Sequence, residues 1–495
     1  MILKINISSN INEKRGIIMK KTIVKIVSLL LVLCMTLPII ASATTVGEVS
    51  RVSVTINGDT TTSRGFCWYT DEKSGSDVQV ASIFASLSKA EIVSGTSSKS
   101  MDKYVHKVTV DNLEPNTMYQ YRVGDSQTGV WSETGYFTTP GETKDSANFI
   151  VYADVQASND ENFQKAANVL KSAVKTMPNY EFAINLGDFV NDCTNEEWDS
   201  YFNNFAFMNM KTTLVPVAGN HEGNLQWFKF NNMFNIGAAE DSMTVTGCYY
   251  SFDWGDAHFA VLNTNDMYPM SASQINWLKN DMNESDAQWK IVLMHRALYS
   301  AGKNINKPDT LVMRNHLLPI IDELGIDVVF AGHDHMYLRT EPVKGEEVQS
   351  AETVTEYWNG EKTTFAVNPD GTTHILPSTA GTKRYDVNEN AMPPILQNSA
   401  IARDTKDGGV FATVSLDSNH FVYKAYIVND ETGEKTLIDS YAIKKTEKEA
   451  VNEDYVKLPT DVISTLEQNA ESVTSQTAKM LLGYLELLFA ILKGE

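Results

Sequence analysis

Two kinds of periodicity divide the chain. Between about residues 45 and 140, polar and apolar residues alternate in short runs, as in Arg51-Val52-Ser53-Val54-Thr55-Ile56. Asn57-Gly58-Asp59 follows with turn chemistry, so the pattern predicts antiparallel strands joined by tight turns. Gly65-Phe66-Cys67-Trp68-Tyr69-Thr70 reads as a core strand carrying a buried Trp. In Leu113-x-Pro115-x-Thr117-x-Tyr119-x-Tyr121, a tyrosine is placed to hydrogen-bond back to the chain and lock a corner between sheets. The expectation is an all-β sandwich over 44–141, closed by the linker Thr138-Thr139-Pro140-Gly141. No catalytic constellation lies in it, so it reads as a spacer or flank.

From 147 to 445 the pattern switches. Short apolar runs such as Phe149-Ile150-Val151-Tyr152-Ala153, Ile291-Val292-Leu293-Met294 and Asp327-Val328-Val329-Phe330-Ala331 are separated by amphipathic stretches such as 161–175. Apolar runs without alternation are strands buried on both faces, which predicts an α/β domain with both sheet faces covered. Residues 340–375 are polar and irregular, as in an insertion or long hairpin. Residues 446–495 read as a charged linker followed by a helix with a very apolar end over 480–492. Gly483 and Glu486 interrupt that end, which is too short to span a bilayer. Packing on the body, self-association and cell-envelope attachment all remain open for it.

Charge narrows the partners. The formal net charge is −21, and nucleic-acid binding needs clustered Lys and Arg, so no nucleic acid is expected as a partner. An anionic substrate would have to be attracted locally, and bound metal cations are the simplest local source of positive charge. The N-terminus reads as a leader. Met19-Lys20-Lys21 opens a basic region, 26–40 is mostly apolar, and Ala41-Ser42-Ala43 is a cleavage site, so 1–43 is expected to be a cleaved signal peptide and the protein secreted or at the cell surface. Removing it makes the remainder more acidic still. Cys67, Cys193 and Cys248 would then remain; one disulfide among them is open, and no C-x-x-C spacing suggests zinc.

The chemically rich residues follow apolar runs in a fixed order. Asp154-Val155-Gln156 comes after the first run, and Gly187-Asp188-Phe189-Val190-Asn191 after Phe182-Ala183-Ile184-Asn185-Leu186. Gly219-Asn220-His221-Glu222 follows Leu214-Val215-Pro216-Val217, His295 follows Met294, and Gly332-His333-Asp334-His335 follows Ala331. In α/β sheets, ligand sites gather beyond the carboxyl ends of strands. Two cations roughly 3.5–4 Å apart can neutralise phosphoryl oxygens and lower the pKa of a water. Carboxylates, an amide oxygen and imidazoles suit iron, manganese or zinc, and the absence of Cys disfavours a thiolate site.

The ordered set Asp…Gly-Asp…Gly-Asn-His-Glu…His…Gly-His-x-His resembles the calcineurin-like metallophosphoesterases. Tyr249-Tyr250-Ser251-Phe252-Asp253-Trp254-Gly255, Gln274-Ile275-Asn276-Trp277-Leu278 and Gly332-His333-Asp334-His335-Met336-Tyr337-x-Arg339-Thr340 are similar to purple acid phosphatases. The stretch before them resembles a fibronectin type III-like domain, which fits the same family. The resemblance covers about 45–445. It implies a four-layer αββα metallophosphoesterase sandwich over 147–445 behind the β-domain. It implies that Asp188 bridges two metals, that Asp154 and His335 bind the first, and that Asn220, His295 and His333 bind the second. His221 would assist the phosphoryl transfer or protonate the leaving group, and Glu222 would orient it.

Two positions depart from the family. Gln156 stands where many members have a metal-binding His, and Asn191 where purple acid phosphatases have the tyrosinate that gives the colour. Either amide could offer a weak neutral oxygen; the alternative for Gln156 is a supporting hydrogen bond. A divalent ion is then favoured at the first site and no purple colour is expected. The implied function is hydrolysis of a phosphorylated small molecule, with phosphate monoesters ahead of diesters. The competing class is a non-catalytic surface binding protein with a degenerate metal site.

Overall fold

The computed structural model describes residues 48–446, apart from 101, 142–145, 223–232, 239–247, 266–268, 389, 391 and 398–399. The expected leader and the expected C-terminal linker and helix lie outside the described residues. So do Trp227, Phe228 and Tyr268.

Two large sheets face each other. The Ala147–Tyr152 strand shows why. Phe149 and Val151 enter the core between the sheets, against Phe252, Phe259 and Ile291 of the second sheet. Ile150 and Tyr152 point to the other side, into a second core with the helices α1 (Asp160–Thr176) and α2 (Asn195–Asn209). Both faces of one strand are buried, so its sequence shows an unbroken apolar run. On the far face of the second sheet, α3 (Ala272–Glu284) and α4 (Pro308–Leu324) cover a third core. The architecture is the four-layer αββα sandwich.

Local signals start the helices. Asn159 accepts the Asn162 N–H before α1, whose first turn carries Asp160 and Glu161. Thr194 and Glu197 form a capping box at α2.

Strand direction positions the site. In the large sheet Ala147–Tyr152, Phe182–Asn185 and Thr213–Pro216 run parallel side by side. In the second sheet Ala257–Val261, Trp289–Met294, Val328–Ala331 and Thr373–Pro377 are parallel. The loops that leave their carboxyl ends carry the residues singled out above.

The N-terminal β-domain has its own core of Val54, Phe66, Trp68, Tyr121 and Phe137. The Tyr119 hydroxyl accepts the Glu114 N–H at 2.6 Å, which makes Tyr119 the corner tyrosine. The β-domain expected to be a spacer or flank shares a sheet with the domain behind it. Ser50–Thr55 runs parallel beside Thr213–Pro216, pairing Thr55 with Leu214, so one sheet of twelve strands passes through both domains. Arg64, fully buried, donates to Thr213 Oγ1 at 3.1 Å and to the carbonyls of Thr60, Ser63 and Thr138. The physical reason is an edge. Without Ser50–Thr55, the strand Thr213–Pro216 would expose unpaired backbone groups.

Within 340–375, Glu352–Trp358 and Glu361–Val367 form a hairpin whose second strand pairs with Lys435–Lys444 and extends the large sheet. Cys67, Cys193 and Cys248 are all buried. Among the described residues, no helix is long and apolar enough to cross a membrane.

Candidate metal centre

The carboxyl ends of the parallel strands bring six side chains together. Asp188, His295 and His333 offer ligand atoms that all lie within 4.8 Å of one another, and so do Asp154, Asp188 and His335. Asp188 belongs to both groups. His295 Nε2 is 3.3 Å from Asp188 Oδ1 and 3.0 Å from Asn220 Oδ1. His335 Nε2 is 3.3 Å from Asp154 Oδ1. Asp154, Asp188, His295 and His335 are almost wholly buried.

The backbone is bent to achieve this. Asp154, Gln156, Asp188 and His333 have φ of 53°, 37°, 53° and 71°. Residues with a Cβ rarely adopt such values, and such strain collects at functional sites. Space is equally tight. A Cβ on Gly219 would stand 2.2 Å from Asp188 Oδ1, so only glycine fits there.

Three imidazoles are aimed by their second nitrogens. His295 Nδ1 donates to the Leu186 carbonyl at 2.8 Å. His335 Nδ1 meets the Lys383 carbonyl, and His221 Nδ1 meets that of Asn191. Such partners leave Nε2 facing the cluster with its lone pair, as a metal ligand requires. Burial works against charge at Asp188, but His295 outweighs it and holds the carboxyl far below its usual range. Burial likewise works against a protonated His295, yet Asp188 and Asp154 push it up to about 9. The cluster thus attracts cations strongly, protons included.

Residues 147–337 match the calcineurin-like phosphoesterase family, and residues 49–139 match the purple acid phosphatase N-terminal domain. The chain joins a purple acid phosphatase N-terminal domain to a calcineurin-like phosphoesterase domain. It is 28% identical to purple acid phosphatase 23 of Arabidopsis thaliana over 269 residues, 48% of this chain and 57% of the relative. It is 24% identical to mouse (Mus musculus) acid phosphatase type 7 over 308 residues, 56% of this chain and 64% of the relative. The chain therefore spans less than two thirds of the length of either. A solved purple acid phosphatase from yellow lupin (Lupinus luteus) superposes with a TM-score of 0.66 at 17% identity, covering 84% of this chain and 78% of the other, which shows the shared fold. Purple acid phosphatases use a binuclear metal centre.

The phosphoesterase domain treats its two unusual positions differently. The Gln156 amide nitrogen meets His221 Nε2, while its Oε1 is buried with no hydrogen-bond partner among the described residues. The Asn191 side chain instead turns outward, donating to Asp192 Oδ2 at 2.9 Å. Its contribution to the site is its backbone carbonyl, not its amide.

Glu222 does not orient His221. Its carboxylate accepts the N–H groups of Asp188, Phe189 and Gly219 at 2.9, 2.7 and 3.1 Å. Burial and then Asp188 push it up to about 8. Arg339 is bound to Asp439 at 2.7 Å and lies over the Tyr441 ring, away from the cluster. Thr379 Oγ1 donates to the Asp154 carbonyl at 2.6 Å, so the 379–382 loop buttresses the centre. His258 and His374 lie outside it. His258 bridges Asp253 and Asp281, and His374 is buried edge-on to Tyr299.

Two neighbours were not anticipated. Arg296 Nη1 is 3.4 Å from His333 Nε2 and is held by Asp309 at 3.1 Å. The Tyr385 ring stacks on His335 with centroids 4.4 Å apart. A cation directly after a candidate ligand was the available signal for Arg296. Nothing local marked Tyr385.

Proposed function

We propose that this chain is a secreted phosphoesterase that hydrolyses phosphate monoesters at two metal ions, one held by Asp154, Asp188 and His335, the other by Asp188, Asn220, His295 and His333. The observation that carries this is Asp188. One buried carboxylate shared by two ligand groups is what a bridged pair needs and what a single-ion site does not.

The donor set fits such ions. It consists of oxygens and imidazole nitrogens without thiolate, which suits manganese, iron or zinc. The orphaned Gln156 Oε1 is a further acceptor whose burial is costly unless something occupies it. It is a neutral donor, so a divalent ion is favoured at the first position. When bound, a pair of cations supplies positive charge to the phosphoryl group and an activated water as nucleophile.

The chain's own residues do the rest. His221 Nδ1 donates to the Asn191 carbonyl and the ring is one-quarter exposed, so Nε2 can reach a bound substrate. In its protonated form, Nε2 holds the proton that passes to the leaving alkoxide. While the ring is neutral, the Gln156 amide donates to the same nitrogen and fixes the ring plane; that contact must open when Nε2 takes up its proton. Glu222 holds the Asp188 loop so that the bridging carboxylate does not reorient during turnover.

The test is turnover of a chromogenic phosphate monoester and the matching diester, with manganese, iron or zinc added to full-length protein. Monoester hydrolysis abolished by chelation supports the reading. Turnover of the diester alone reassigns the substrate class. No turnover of either by folded, metal-loaded protein leaves the non-catalytic binding role. Secretion is tested by the N-terminal sequence of protein recovered from culture medium, expected to begin near Thr44.

A further inference from the structure

A cavity of about 310 Å³ lies among α4, the strand Thr373–Pro377, the loop that carries Tyr299 and the hairpin at 343–348. That is the small end of the range for ligand sites. Its frame is tied together. The Gly345 N–H at the hairpin tip donates to Asp322 Oδ2 of the helix at 2.8 Å. At the hairpin base, Val343 and Thr372 exchange two backbone hydrogen bonds of 2.9 Å. The walls are therefore fixed before anything enters, which lowers the cost of binding.

The polar groups that line the cavity are unmatched. The His374 ring stands edge-on to the Tyr299 ring, with centroids 4.8 Å apart. The two residues are 2% and 3% exposed. Among the described residues, neither the imidazole nor the phenol hydroxyl makes a hydrogen bond. The Arg314 guanidinium has neither a hydrogen bond nor an ion pair among the described residues, and its Nη1 is buried. Buried polar groups are normally bonded, so three unmatched ones around one space call for an occupant.

The lining restricts what that occupant is. Burial pushes His374 down to about 3, so the imidazole is neutral. The charges at the cavity are then the Arg314 guanidinium and the carboxylates of Asp322 and Glu346. Lys344, the next cation along the hairpin, is held by Asp370 at 2.7 Å. Pro319 inside α4 has no N–H for the Asn315 carbonyl, so a backbone acceptor on that wall lacks its usual helix partner. A plain anion at Arg314 would face two carboxylates. A plain cation would leave Arg314 unpaired. Leu318 and Val343 add apolar wall.

We propose that this cavity binds a small zwitterion with an apolar side chain, a free α-amino acid, whose carboxylate meets Arg314 and whose ammonium group meets Glu346 and Asp322. None of these residues belongs to the metal cluster, so the inference stands apart from the phosphoesterase reading.

The experiment is calorimetric titration of metal-loaded full-length protein with L-leucine, with isoamylamine, which lacks the carboxylate, and with isocaproate, which lacks the ammonium group. The expected result is a Kd below about 1 mM for leucine and binding at least about tenfold weaker for each analogue, because each loses one charged contact. R314Q should weaken leucine at least about tenfold while isoamylamine, which has no group for that arginine, binds as before. E346Q should weaken leucine and spare isocaproate. The three wild-type affinities decide the matter even where a variant does not fold. No binding of leucine to folded protein would overturn the site, as would an analogue that binds as tightly as leucine. Leucine affinity unchanged in folded R314Q would place the ligand elsewhere, the metal cluster included, and would overturn it too.

Discussion

The carboxylate of Glu222 grips the backbone at Asp188, with Oε2 accepting the Asp188 N–H at 2.9 Å and Oε1 the Phe189 N–H at 2.7 Å. The residue after His221 in the sequence thus holds the backbone at Asp188, not the histidine. Above about pH 8, where the Glu222 carboxyl is ionised, Glu222→Gln puts an NH2 against N–H donors. It is expected to lower unfolding stability by about 2–3 kcal/mol and to lower metal content as well. Urea unfolding and metal analysis measure both, and a variant with native stability and full metal loading would contradict this role.

Asp188 is shared by both ligand groups. Asp188→Asn should therefore weaken both ions together, by at least about tenfold each, since ligands and their immediate supports commonly carry 10–100-fold of metal affinity. Loss of one ion with full retention of the other would show that the carboxylate does not bridge.

The His221 ring stands 3.9 Å from Asp188 Oδ2, and the His221 backbone N–H donates to Asp188 Oδ1 at 2.9 Å. His221→Ala should cost about 10²–10⁴ in kcat with metal content intact. A substrate whose leaving group needs no proton should lose less. Equal losses for activated and unactivated esters would remove the proton-donor role.

His258 lies between Asp253 at 2.7 Å and Asp281 at 2.8 Å. Burial alone would lower it, but the two carboxylates push it up to about 9. Its unfolded value is about 6.5, so the folded state binds the proton more tightly. The stabilisation is complete below about pH 6.5 and is lost as pH rises through about 9. His258→Gln should accordingly show a Tm deficit that is wide in mild acid and narrows in alkali. A deficit that grows with pH would show that the histidine is neutral in the fold.

Asn191 stands where a tyrosinate would colour the centre, and its amide points to Asp192. Iron-loaded protein should lack a strong visible band. A purple sample would show that a phenolate reaches the metal by another route.

The order of the chemistry was readable in the chain. Each candidate ligand follows an apolar run closely, because a strand buried on both faces must end where polar atoms can gather. Asp154, Asp188, Asn220, His295, His333 and His335 could be named on that ground together with the ordered motif. The helix at Asp160–Thr176 and the sandwich strands were legible for a related reason, since period and caps are local properties.

Contacts between residues far apart in the chain were not legible. Glu222 could have served His221 or the backbone at Asp188, and only the folded loop decided between them. Gln156 and Asn191 looked alike as amides, yet one turns its nitrogen to His221 and the other faces solvent. Tyr385 reaches His335 from 50 positions away. The β-domain read as a spacer or flank because alternation marks strands without saying which sheet they join; pairing Thr55 with Leu214 made it part of the large sheet. Sequence by itself determined which chemical groups are present and in what order the strands deliver them, since both follow from local pattern. Tertiary structure alone decided what each group faces, because side-chain direction depends on backbone turns and neighbours that the fold brings together from distant parts of the chain.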